Sequence, residues 1–134
     1  MWNKALLYRV IIVAETVGST GVSTLSIAQI LGVSERNNRR DHVTSCIMFH
    51  QGFALHVSEG ARVDVDRLQR RMSEDRRLQN LRVVIDRPIS ERAFHEPVTL
   101  CSDPRMMLEA VGQASLSVVS PQEAERMLEL RLAA

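Results

Sequence analysis

His56, Asn38 and Arg77 are the residues of this chain best suited to hold a ligand. His56 sits in the strand-like run Phe53–Ser58, where alternation turns every second side chain inward. A buried imidazole either finds a hydrogen-bond partner in the core or faces a ligand, and burial favours its neutral form. Asn38 closes a helical stretch, where Asn is a common stop, and its amide equally suits the edge of a heteroaromatic ring. Arg77 lies in a charge run whose ordinary state is a solvated surface, yet a guanidinium is also the group that grips a phosphate.

Other clusters lead nowhere chemically. His42, Cys46, Met48 and His50 alternate on one strand face and suggest a metal or haem. His42 and Cys46 are roughly 13 Å apart at ~3.3 Å per residue, whereas zinc needs every ligand within about 2.3 Å. No metal site is expected. The chain has two cysteines, Cys46 and Cys101, in no metal or redox spacing; they are expected to be reduced, buried thiols. Residues 18–24 (GSTGVST) lack the lysine and spacing of a phosphate-binding loop. No nucleophile–base pair or paired carboxylates stand out, so no enzyme is expected. Arg67, Arg70, Arg71, Arg76 and Arg77 are interleaved with Asp64, Asp66, Glu74 and Asp75, which describes a salt-bridged face. With 17 basic and 16 acidic residues the net charge is +1, which gives no case for nucleic acid or a membrane as partner.

Elements that would position these residues follow from the pattern. At 134 residues, 45% hydrophobic and 25% charged, the chain fits one soluble, cytoplasmic unit. Ala5–Ala14 is almost continuously apolar, as a central strand covered on both faces would be. Arg9 interrupts it, so neither a signal peptide nor a membrane span is read. Ser23 or Thr24 can cap a helix over Leu25–Glu35. Strands follow at His42–His50 and Phe53–Ser58, joined by a Gln51-Gly52 turn that puts His56 on the same face as Ile47 and Phe49. Gly60 opens a second helix with Val65, Leu68 and Met72 on its inner face and Arg71 mainly outside it. Leu81–Ile85 is a strand ended by Pro88, and Val98–Cys101 a short last one. Asp103-Pro104 caps a helix reaching Gln113, and Ser120-Pro121-Gln122-Glu123 is a capping box before Ala124–Leu132. The order βαββαββ predicts an α+β, ferredoxin-like sheet with two helices on one face. Residues 1–102 would form this unit, and 103–134 a C-terminal helical extension packed on the sheet.

The segments LLYRVIIVAE, NN…VTS, QGFALHVSEG, SEDRRLQNL and ERAFHEPVTL, in this order and spacing, resemble the BLUF family of blue-light sensors that hold a flavin. The resemblance runs from about Leu6 to Leu100. It implies that Asn38 would hold the flavin ring and that Arg77 remains from the family's DRRH signature, here Asp75-Arg76-Arg77-Leu78. It also places the family's electron-donating Tyr at Ile12, its switching Gln at His56, and its Trp and Met at Pro97 and Thr99. Tyr8 is four residues from Ile12, again roughly 13 Å. A BLUF-like regulatory module acting through protein–protein contact, with photochemistry lost, is therefore expected. The alternative is an FAD-binding photoreceptor or flavin sensor with altered chemistry. FAD is the only candidate cofactor, and little or none is expected to be bound: each lost neutral hydrogen bond forfeits about 0.5–1.5 kcal/mol. Partner docking, or self-association, is expected through the C-terminal helices or the sheet. Met106, Met107, Leu108, Met127, Leu128 and Leu130 are expected to leave some apolar surface exposed.

Overall fold

The computed structural model describes residues 6–133, so Ala5, the first residue of the expected first strand, lies outside it. The chain forms β1 (Leu7–Thr16), α1 (Thr24–Asp41), β2 (Thr44–His50), β3 (Phe53–Ala61), α2 (Arg62–Glu74), β4 (Leu78–Ile89), β5 (Thr99–Leu100), α3 (Pro104–Ala110), a 3-10 turn at Leu116–Val118 and α4 (Pro121–Ala133). The five strands make one mixed sheet in the order β4-β1-β3-β2-β5. All neighbours are antiparallel except β2 and β5.

The apolar run of β1 is explained by its place near the centre of this sheet. Val10 through Ala14 are all buried, because α1 and α2 cover one face and the tail covers the other. On the tail side Ile11, Val13, Leu55 and Val57 pack against Leu108, Leu116, Met127 and Leu128. On the helix side Val10 and Ile12 meet Val65 of α2. A buried ion network ties the tail to the sheet. Glu59, with no exposed surface, accepts from Arg9 Nε at 2.7 Å and from the Ala93 N–H at 2.8 Å. Arg9 Nη1 continues to Glu125 of α4 at 3.0 Å, and Arg87 Nε reaches the same carboxylate at 2.7 Å. Removing one partner of such a network strands a buried charge, so the cluster fixes where α4 docks.

The local chemistry matches the expected turns. Gln51 and Gly52 both take positive φ (46° and 84°), the pair of left-handed residues that suits a two-residue hairpin. Ser120 and Glu123 form the reciprocal capping box, each side chain accepting from the other's N–H. Ser23 caps α1 through the Ser26 N–H, and Asp103 caps α3 through the Met106 N–H.

Several boundaries differ from the sequence pattern. α1 does not stop near Glu35 or at Asn38; it runs to Asp41 and ends on His42 with φ 57°. His42 therefore leaves the strand, and the alternating set with Cys46, Met48 and His50 loses its first member. Gly60 stays in β3 rather than opening a helix. β4 begins at Leu78 and runs through Pro88 to Ile89. It is an edge strand, where a missing N–H costs no ladder bond on the free side. α3 is shorter than expected, ending at Ala110. In the tail, Leu108, Met127 and Leu128 are core residues, not exposed surface. Met106, Val118 and Leu132 are the tail's exposed large apolar side chains among the described residues.

Candidate functional site

A cavity of about 360 Å³ lies between the sheet and its two covering helices. That size falls in the range of small-molecule sites. Its floor comes from the helix-facing positions of three strands: Ile12 and Ala14 of β1, Ala54 and His56 of β3, Ile47 and Phe49 of β2. The register sets His56 directly opposite Ile12 on one side and Ile47 on the other. One wall is α1, through Ile30, Val33, Ser34, Asn37 and Asn38; the other is α2 and the segment after it, through Leu68, Arg71, Met72, Asp75 and Arg77. The three residues singled out from the sequence, Asn38, His56 and Arg77, thus line one space.

Asn38 is fully buried in the last turn of α1. Its amide nitrogen donates to Ser45 Oγ (3.0 Å) and to the Pro97 carbonyl (2.8 Å), while Ser45 Oγ donates to that same carbonyl (2.8 Å). Both amide protons are spoken for, which fixes the orientation of the group. Its Oδ1 is buried and has no partner. His56 is also buried, and its Nδ1 has no partner either. Burial pushes its pKa down from 6.5 to about 4, so the ring is neutral near pH 7.

Arg77 is at the rim and already engaged. Its Nε and Nη2 meet Asp75 at 3.0 and 2.8 Å, and its N–H donates to the same carboxylate at 2.9 Å. Hydrogen bonding from Arg77 holds the Asp75 pKa below its ordinary value. The cation thus arrives largely neutralised. Arg71, assigned from the sequence to the outer face of α2, instead lines the cavity. Its Nη1 donates to Asp41 at 3.3 Å, and its buried Nη2 has no partner. The signal was present: Arg71 is three residues after Leu68 and four before Asp75, which continues the inner stripe of α2. Asp41 was also missed. It is buried between Arg40, Arg67 and Arg71, and the Arg40 hydrogen bond, with the charges of its neighbours, pulls its carboxyl down to about 2 against the opposing effect of burial.

Other positions fall outside. Tyr8, the chain's one tyrosine, pairs with Gly60 and Pro88, and the Arg62 guanidinium lies 4.5 Å over its ring. Neither Pro97 nor Thr99 lines the cavity, although the Pro97 carbonyl holds Asn38. Among the described residues no three His, Cys, Asp or Glu side chains converge as metal ligands. Cys46 and Cys101 are free and buried under the tail; burial raises the Cys46 thiol to about 11. No described helix is long and apolar enough to cross a membrane.

The 4-1-3-2-5 sheet under two helices is a known fold. The family model "BLUF: Sensors of blue-light using FAD" matches residues 7–98. The chain belongs to the BLUF family. No curated protein sequence matches it. Among solved structures, the photo-activated state of BlsA superposes with a TM-score of 0.83 at 16% identity, covering 96% of each chain. The dark-state structure of the BLUF protein BlrB gives 0.83 at 21% identity, covering 96% of this chain and 97% of that one. A bacterial light-regulated adenylyl cyclase gives 0.67 at 21% identity, with 95% of this chain matched to 34% of that one. At these identities the likeness concerns the fold. BLUF domains are sensory modules, and the cavity described above occupies the space between sheet and helices in this one.

Proposed function

We propose that this BLUF module signals without the family's tyrosine-to-flavin photochemistry and conveys its state to a protein partner or a second copy. The observation that carries the reading is the pair Ile12 and His56, which face each other on the cavity floor. These are the positions where the family resemblance places Tyr and Gln. Isoleucine offers no phenol, and imidazole lacks the amide's paired donor and acceptor. Tyr8 sits at the far end of the strand, outside the cavity.

The residues present fit a flavin ring in part. Asn38 Oδ1 is an unpaired acceptor for an imide N–H, and Arg71 Nη2 an unpaired donor for a ring carbonyl. Apolar floor and walls suit the ring faces. A bound flavin would supply a light-absorbing, redox-active ring. In this pocket Asn38 and Arg71 would orient it, His56 would stay neutral beside it, and Arg77 would meet a phosphate only with the edge that Asp75 leaves free. The missing phenol and amide weaken the fit by about 0.5–1.5 kcal/mol each. Coupling to a partner is supported by the light-regulated cyclase, in which the matching part is only about a third of the protein.

Absorbance spectroscopy tests this. The purified protein, mixed with excess FAD and illuminated with blue light, is expected to keep its flavin band unshifted. The double variant Ile12→Tyr/His56→Gln is expected to gain a red shift. A red shift in the natural chain would overturn the reading and favour a photoreceptor with altered chemistry.

A further inference from the structure

We propose that α1 is a lid, hinged at its C-terminal turn, that closes on the ligand of the pocket. What closes it rests on the ligand-binding reading above; its anchoring at the C-terminal turn is a property of the chain alone. Of eighteen residues in α1, only Asn38 and Asp41 are buried, and both lie in the last turn. Apart from bonds to its own leading loop, the side-chain hydrogen bonds from α1 to the rest of the fold are there. Asn38 bonds Ser45 and the Pro97 carbonyl, and Asp41 bonds Arg71 and approaches Arg67 of α2.

The preceding turns have no such ties. Ile30 and Val33 line the cavity, and no side chain of these turns is fully buried. Hydrogen bonds at the N-terminal end are local, joining Ser19, Gly21, Ser23 and Ser26 to one another. The contact with the sheet there is Gly21 against the Phe49 ring, close enough that an added Cβ would collide. At the C-terminal end His42 takes φ 57°, which turns the chain directly from α1 towards β2. A helix of this length spans about 27 Å; its buried side chains are confined to the last turn, and its middle turns run along the cavity. A helix with little buried surface owes little of its stability to packing, so its opening is expected at the low end of local stabilities. A ligand in the cavity adds contacts to Ile30 and Val33 and draws the lid down.

Hydrogen exchange read by mass spectrometry tests both halves. In the protein alone, amides of residues 25–36 are expected to exchange at least tenfold faster than those of 38–41 and of α2. Uniform protection along α1 would overturn the lid. Riboflavin, added at saturation as judged by quenching of its fluorescence, is expected to slow residues 25–36 severalfold and leave 38–41 unchanged. Bound riboflavin with no slowing would overturn closure. Absence of riboflavin binding would sink the ligand reading instead, and the gradient in the protein alone would still decide the hinge. Gly32→Ala meets only Arg36 Nη1 at 3.9 Å, so it fits. It favours the helical state and is expected to slow the mobile turns about two- to fivefold without ligand. No slowing would mean that those turns are already held by packing, against the proposal.

Discussion

On the tail side of the sheet, Ile11, Val13, Leu55 and Val57 meet Leu108, Leu116, Met127 and Leu128 with almost no surface left exposed. On the helix side, the same strands carry Ile12, Ala14, Ala54 and His56 to the floor of a 360 Å³ space. The first face has its apolar groups matched and leaves one buried polar atom, Thr99 Oγ1 beside Cys46, without a partner; the second leaves three, on Asn38, His56 and Arg71. A buried polar atom that finds no partner costs roughly 1–3 kcal/mol. More of the unmatched polar groups therefore lie on the helix side, where the proposed ligand would bind.

Ile11 and Ile12 are neighbours in β1 that point to opposite faces, which makes them the sharpest test of this contrast. Ile11→Ala is expected to cost about 4 kcal/mol of unfolding free energy, near the upper end for core truncations. Ile12→Ala is expected to cost about 2 kcal/mol, because part of its side chain lines the cavity and has fewer protein contacts to lose. Urea unfolding of both variants reads the difference. Equal costs would mean that the two faces are packed alike.

The second test uses the neutral imidazole on the helix side. Unfolded, His56 titrates near its ordinary value of about 6.5; folded, burial lowers it to about 4. Between those values the unfolded chain takes up a proton that the folded chain refuses. Stability is therefore complete above pH 6.5 and falls as the pH drops towards 4, by roughly 2 kcal/mol at pH 5. The depressed carboxylates contribute in a lower window; Asp41, at about 2, loses its share only below about pH 4. His56→Gln is expected to flatten the profile between pH 6.5 and 5 in chemical denaturation. A slope that survives the substitution would place the titrating group elsewhere.

Much of the tail-side face was legible in the sequence, and less of the site. The β1 run, the Gln51-Gly52 turn and the Ser120–Glu123 capping box are local signals, and they formed as the pattern predicts. The face shared by His56, Ile47 and Phe49 followed from the turn, since a fixed turn fixes the register. The end of α1 was not legible, because Asn38 continues the helix and spends its amide on Ser45 and Pro97, the latter 59 positions away. Local propensity cannot show a bond of that range. Pro88 misled for a related reason: its effect depends on whether the strand is central or at an edge, and the edge is a tertiary fact. Arg71 is subtler. Its spacing from Leu68 places it inward, but charge alone argued for solvent, and the cavity that accepts it exists only once both helices are in place.

The smallest expected effect lies on the outer surface of the tail. Met106 and Leu132 are 60% and 43% exposed, whereas Leu128, one turn before Leu132 in α4, is 5% exposed. Met106→Lys and Leu132→Lys remove little buried area and create no buried charge, so each is expected to change the urea midpoint by less than about 0.5 kcal/mol equivalent. Leu128→Lys buries an unpaired ammonium among Leu108, Leu116 and Met127 and is expected to undock the tail or unfold the chain. The pair of outcomes separates two uses of the C-terminal helices. If the tail is only a cover for the sheet, Met106→Lys and Leu132→Lys leave both stability and self-association unchanged in analytical ultracentrifugation. If it also carries the module's output, they weaken association or partner binding while circular dichroism and the urea midpoint stay where they were. A large loss of stability from either surface lysine would show instead that the tail packs more tightly than its exposure indicates, and the contrast between a matched inner face and a free outer one would fail.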